Sequence, residues 1–125
     1  MSVSFLTNKA TDTFDGFGLR ILSDLLTDGH ASPMYQALIE SNLGSEYSSN
    51  TGYDGSTMVS SMSFGVQGMK QEDIAKVEET VIKVLQNVQK DGVDPKRVDA
   101  IVHQMELSQK HVSGTQLLCV HSTTL

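Results

Sequence analysis

The spacing of apolar residues changes several times along this chain, and each change marks an element. In "SVSFL", Ser2 to Leu6, polar and apolar residues alternate. An extended chain then puts Val3 and Phe5 on one side and Ser2 and Ser4 on the other, which predicts a short strand with Val3 and Phe5 facing a core. In "TDTFDGFGLRILSDLLTDG" the period lengthens, and Phe14, Phe17, Ile21, Leu22 and Leu25 recur at helical spacing. Thr11 or Asp12 suits the start of that helix and Gly29 its end, with the five apolar residues as the buried stripe. "SPMYQALIESNLG" repeats the grammar: Ser32 as cap, Pro33 at the first helical position, a stripe of Tyr35, Leu38 and Ile39, and Gly44 as the stop.

Between Ser45 and Ser56 the chain is rich in Ser, Gly, Asn and Tyr, and "NTGYDG" holds two turn signals, so a strand end and a loop are expected. "TMVSSMSFGVQG" sets Met58, Met62, Phe64 and Val66 at even positions, interrupted by Ser60, the pattern of a half-buried strand with the methionines as core filler. "QEDIAKVEETVIKVLQNVQKDG" gathers Ile74, Val77, Val81, Leu85 and Val88 on one helical face, opens acidic and closes on Lys90 and Gly92, as the helix dipole favours. A last helix follows in "DPKRVDAIVHQMELSQKHVSG", with Asp94 as cap, Pro95 at the first position, and Val98, Ile101, Val102, Met105 and Val112 as its stripe. Strand, two helices, strand or hairpin, two helices is the order of an α+β fold, a mostly antiparallel sheet with helices packed on one face. The expected organisation is a single partial α+β domain over residues 1–125, with 119–125 a divergent or truncated tail.

Composition narrows the function classes. The chain has 125 residues, 38% of them hydrophobic, enough for one modest core. Fifteen acidic against nine basic residues give a formal charge of -6, which argues against nucleic acid as a partner. No apolar stretch approaches the roughly 18 residues of a membrane span, and none follows the first methionine as a secretory signal would, so no membrane partner is expected. The composition is intracellular or organellar in character. Cys119 is the only cysteine, which excludes an internal disulfide and a cysteine-based zinc cluster, and without a placed base it reads as a small apolar residue.

One stretch carries a chemical question. "VHQMELSQKH" contains His103-x-x-Glu106, most of the H-x-x-E-H zinc signature, but Leu107 stands where the second histidine belongs. With Val98 as origin and about 100° per residue, the apolar stripe centres near Val98 and Met105 while His103 falls about 140° round. Glu106 is close enough to His103 to touch it. Two ligands from one helix do not hold a catalytic zinc, and His111 lies about 12 Å further along the helix, too far for one ion. A third ligand would have to come from His30, His121 or a distant carboxylate. His103 and Glu106 are therefore expected as a solvated pair.

Other motifs carry less. "GFGLRI" lacks the third glycine of a dinucleotide fingerprint, and Gly16 and Gly18 are expected to permit close helix packing. Asp12, Asp15, Asp24 and Asp28 spread around their helix as a cap, a dipole partner and a solvated face. No catalytic, cofactor-binding or metal-ligating residue is assigned.

At the level of whole segments, "TDTFDGFGLRILSDLLTDGHASPMYQALIESNLGSEYSSNTGYDG", "SFGVQGMKQEDIAKVEETV" and "VDPKRVDAIVHQMELSQKH" resemble the pitrilysin-type (inverted zincin) metallopeptidases, in their presequence-protease branch. The likeness runs from about Ser2 to Leu118. It implies the second, non-catalytic domain of an enzyme whose several α+β domains close around a chamber, with zinc held by H-x-x-E-H and a distal glutamate in another domain. The implied segment has no cofactor of its own and is inactive alone; its parent is a mitochondrial matrix hydrolase acting in proteolysis of unstructured peptides. The other domains of the same peptidase would be its partners. A second class stays open: an autonomous α+β module that binds a peptide or protein without catalysis.

Overall fold

The computed structural model describes residues 1–111 and has the expected α+β architecture with an antiparallel sheet. Its contacts divide the chain into a unit of Met1–Val93 and a second unit from Asp94.

In the first unit β4 (Val59–Gln67) is the central strand, with β1 (Ser2–Lys9) antiparallel on one side, Val3 opposite Phe64 and Phe5 opposite Met62. The other side of β4 is taken in series by β2 (Glu46–Tyr47) and β3 (Gly52–Asp54), with Tyr47 opposite Val66 and Tyr53 opposite Met62. Where the turn signals interrupt that edge, side chains replace strand peptides. The Thr51 hydroxyl donates to the Gly65 carbonyl (3.1 Å) and accepts from the Gly65 N–H (3.2 Å), and the Ser48 N–H reaches the same carbonyl at 3.0 Å. Buried backbone groups of the central strand are thus satisfied without a continuous partner.

The pleat sends Met62, Phe64 and Val66 to one face, where they join Leu26, Met34, Leu38, Val77, Val81 and Val84 in the core. Ser60 shares that parity and is fully buried, its hydroxyl without a hydrogen-bond partner. Met58, expected in the core, is 87% exposed. β4 begins only at Val59, and Met58 closes the sheet end by accepting the Ala10 N–H at 2.9 Å. Val3 packs against the core as expected, while Phe5 is more exposed because it stands on an edge strand.

α1 (Thr13–Thr27) buries only part of the expected stripe, Leu25 at 5% exposure and Leu22 against the core, and leaves the aromatic end of that stripe outside. Leu19, Leu22, Ser23 and Leu26 lie on or against the core, whereas Phe14 is 87% and Phe17 48% exposed. The physical reason is Gly16, where an added Cβ would stand 3.0 Å from the Tyr53 hydroxyl. Gly16, Leu19, Ser23 and Leu26 follow one another at spacings of three and four, so the side of close approach and the side of burial coincide. Gly18 has no such neighbour within 4 Å, against the expectation of close packing there.

The second predicted helix is a single α-turn, α2 (Pro33–Tyr35), widened into a π-helical turn over Gln36–Glu40. Met34 and Leu38, four apart, are fully buried, while Tyr35 and Ile39 are half-buried at its flank. Asn42, at φ 60°, turns the chain out of the helix. Gly44 closes the helix end as expected, its N–H on the Leu38 carbonyl at 3.2 Å, and also serves the sheet, where a Cβ would lie 2.5 Å from Val66 Cβ.

A 3₁₀ turn at Gln71–Asp73 leads into α3 (Ile74–Asp91). Val77, Val81 and Val84 are buried and Leu85 and Val88 pack beside them, as the stripe predicts apart from Ile74. Val84 draws the centre of the stripe away from Ile74, which is left 42% exposed at its margin. Gly92, at φ 76°, ends the helix with its N–H on the Val88 carbonyl at 2.9 Å.

The second unit contributes α4 (Pro95–His111). Asp94 caps it as expected, its Oδ1 accepting the Lys96 N–H at 3.1 Å and its carbonyl the N–H groups of Arg97 and Val98. Ile101 is buried and Val98 and Met105 are half-buried, but Val102, placed on the stripe, is exposed because it lies one residue round from Ile101 toward solvent. Val112, Cys119 and the 119–125 tail lie outside the described residues.

Candidate functional site

On α4 His103 and Glu106 are both exposed. Glu106 Oε1 is taken by Lys110 Nζ at 2.7 Å, one turn further along. This is the ordinary i, i+4 ion pair of a solvated helix, so the carboxylate that a zinc site would recruit is already occupied by a lysine. Among the described residues no three His, Cys, Asp or Glu side chains converge in a way that would hold a metal ion. The side chain of His111 and all of His121 lie outside the described region.

His30 is exposed and meets Tyr35 edge to face, ring centroids 4.7 Å apart; Tyr35 in turn stands 6.4 Å from Tyr47. Burial pushes the Tyr47 phenol above its ordinary pKa, a neighbouring Ser32 hydroxyl opposing the shift and Tyr35 adding to it. These contacts pin the α2 segment against β2. Among the four aspartates of the α1 region, Asp15 sits in the first turn, where the helix dipole favours it. The Asp12 side chain makes no capping bond, and its carbonyl instead accepts the Gly16 N–H and the Asn8 amide. Asp24 has its carboxyl raised by burial, with Arg20 pulling it down and Asp28 pushing it up. They do not form a ligand cluster.

A polar concavity lies on the sheet face turned away from the helices. Ser4, Asn50, Thr51, Asp54, Ser61 and Ser63 are among the residues that line an open groove of about 520 Å³. Its hydroxyls bond one another: Ser4 Oγ to Ser63 Oγ at 2.8 Å, and Asn50 Nδ2 to Ser2 Oγ at 2.9 Å. The signal for it was the polar half of the strand alternation: Ser2 and Ser4 were expected to face away from the core, and Ser61 and Ser63 hold the matching positions of β4. Chemically the groove can accept and donate hydrogen bonds but is not built to activate a nucleophile. No histidine lines it, and its one carboxylate, Asp54, is held below its usual pKa by the Ser56 hydroxyl and backbone N–H, the latter at 2.9 Å. A carboxylate shifted that way is a weaker base.

The described chain is thus an α+β unit whose chemistry-bearing side chains are dispersed. A family model described as the Peptidase M16 inactive domain matches residues 1–105. The chain belongs to that family. It is 40% identical over 113 residues to the mitochondrial presequence protease of Xenopus laevis, 41% over 113 to that of Schizosaccharomyces pombe and 42% over 115 to that of Mus musculus. Those alignments take in 90%, 90% and 92% of this chain. In each case the chain spans about 11% of the relative's length. The resemblance seen in the sequence to the presequence-protease branch is therefore borne out, and the likeness supports a mitochondrial location.

Proposed function

We propose that this chain is a non-catalytic segment of a mitochondrial zinc metallopeptidase that degrades unstructured peptides in the matrix, and that it supplies chamber wall and contacts to the other domains. The observation that carries this reading is the match of residues 1–105 to an inactive peptidase domain. Zinc belongs to the parent enzyme in this reading. The described residues do not fit it: Glu106 is engaged by Lys110, and no third ligand stands near His103. This chain's own contribution is shape and hydrogen bonding, through the sheet, its hydroxyl-lined face and the helices behind it.

The test is an assay of the purified chain with an unstructured fluorogenic peptide and added zinc. No cleavage above a protein-free control is expected, because no assembled ligand set or nucleophile with its base is present among the described residues. Zinc-dependent cleavage abolished by His103→Ala would overturn the reading.

A second reading, an autonomous peptide-binding module, draws on β1, whose outer edge pairs with no strand among the described residues. An extended peptide adds to such an edge through main-chain hydrogen bonds. A cooperatively folded monomer that binds one specific partner, and does not restore a peptidase when inserted in place of the matched segment of a relative, would favour it.

A further inference from the structure

α1 carries two apolar faces: the inner one packs in the core, and on the outer one Leu25 is buried while the end toward Phe14 and Phe17 stays open. On the inner face Leu19, Leu22 and Leu26 pack with the sheet, behind the close approach of Gly16 to Tyr53. Phe14 and Phe17 lie on the other side, with Ile21 one turn further and half-buried. At about 100° per residue these three fall within about 60° of one another, and opposite Ser23. Phe14 is 87% exposed, so nearly a whole phenyl ring meets water. Between this face and β1 runs an open, largely apolar groove of about 580 Å³, with Thr7, Phe14, Gly18 and Leu22 among its lining residues. Gly18 has nothing within 4 Å of the place its Cβ would occupy, so the helix surface there is open to close approach from outside.

An apolar helical face of this kind marks a surface that is covered in the working molecule. The length of the relatives indicates by what: the chain spans about 11% of each, leaving most of a peptidase outside it. We infer that the Phe14–Phe17–Ile21 face of α1 is a docking surface for another segment of the same long peptidase, one that presents apolar side chains and seats the two phenyl rings. This rests on the reading of the chain as a peptidase segment and adds to it the place of contact. Acidic Asp12 and Asp15 stand beside the rings, so the covering segment is expected to place polar or basic groups at its rim and apolar ones at its centre.

The experiment compares thiol accessibility in two settings. Phe14→Cys is made in the chain with Cys119→Ser, and again in a chimera in which this chain replaces the matched segment of the mouse presequence protease, whose other cysteines are also changed to serine. Maleimide labelling is expected to be fast in the isolated chain and at least tenfold slower in the chimera. Equal rates in both, in a chimera that still cleaves an unstructured peptide, overturn the docking surface while leaving the peptidase reading intact. A folded but inactive chimera with fast labelling counts against both. Slow labelling in the isolated chain, together with a dimer by light scattering that Phe17→Asp dissociates, would assign the face to a second copy and overturn the inference. Should the chimera not fold, cysteine is placed at the position of the mouse protein aligned with Phe14, and labelling is compared before and after unfolding in denaturant. Protection lost only on unfolding supports the inference, and free labelling of the native protein overturns it.

Discussion

α1 and α3 are both amphipathic by pattern, yet α3 turned all of its expected stripe but Ile74 to the core, whereas α1 turned only Leu22 and Leu25 of its own. α3 gathers most of its apolar residues along Val77, Val81, Val84, Leu85 and Val88, leaving Ile74 and Ile82 exposed outside that stripe. α1 holds apolar residues on two sides, and periodicity alone selected the aromatic one because Phe14, Phe17 and Ile21 are larger. What decided the orientation was a contact: Gly16 against Tyr53, a residue of β3 37 positions away in sequence. Helical spacing identifies candidate faces, whereas the absence of a side chain at the point of closest approach identifies the one used.

The largest effect that would break this comparison belongs to α3. Val81→Asp places a carboxylate in a fully buried site without a partner, and at a total stability of about 5–15 kcal/mol it is expected to leave the chain largely unfolded by circular dichroism. Leu26→Ala, on the inner face of α1, is expected to cost about 2–5 kcal/mol in denaturant unfolding. Phe14→Ala on the outer face is expected to cost less than about 0.5 kcal/mol in the same measurement. Equal losses at Leu26 and Phe14 would show that α1 has been turned the wrong way.

The glycines sharpen the point. Gly18→Ala is expected to stabilise by about 0.5–1 kcal/mol, the helix-propensity difference, because nothing stands near the new methyl group. Gly16→Ala carries the same propensity gain but presses a methyl on the Tyr53 hydroxyl, and is expected to yield no net stabilisation. A gain at Gly16 as large as that at Gly18 would remove the reason given for the orientation of the helix.

The smallest effect is electrostatic. Burial raises the Asp24 carboxyl pKa above its ordinary value, so the folded state holds that proton more tightly than the unfolded chain. Its contribution favours folding below the unfolded carboxylate pKa and is lost as pH rises through the folded one. Asp24→Asn is accordingly expected to be slightly stabilising at neutral pH, with the gain shrinking toward zero as the pH falls below the ordinary Asp range. Parallel thermal melts across that window check the sign, and a gain that grows on acidification would contradict it.

Much of the fold was legible because it depends on local pattern. β1, β4, α3 and the Asp94 cap of α4 follow from alternation, from the 3.6 period and from cap chemistry. The misses arise where distant residues meet. Met34 is buried and Tyr35 only half so because the π-turn and the sheet position them together, and Gly44 is needed by Val66 as well as at the helix end. Thr51 takes the place of a strand residue for Gly65, which no turn propensity announces. The hydroxyl-lined groove was implicit in the serines at alternate positions of β1 and β4, but only strand pairing brings them together. His103 and Glu106 could be judged on the helical wheel, while the engagement of Glu106 by Lys110 required side-chain positions.

Zinc content tests the non-catalytic assignment most directly. The purified chain is loaded with excess zinc, dialysed against metal-free buffer and measured by elemental analysis, beside His103→Ala. Both proteins are expected to retain no more zinc than a control protein, because a solvated histidine and a lysine-paired glutamate do not make a ligand set. Near-stoichiometric zinc in the unaltered chain that disappears in His103→Ala would contradict the assignment and make α4 a metal-binding helix.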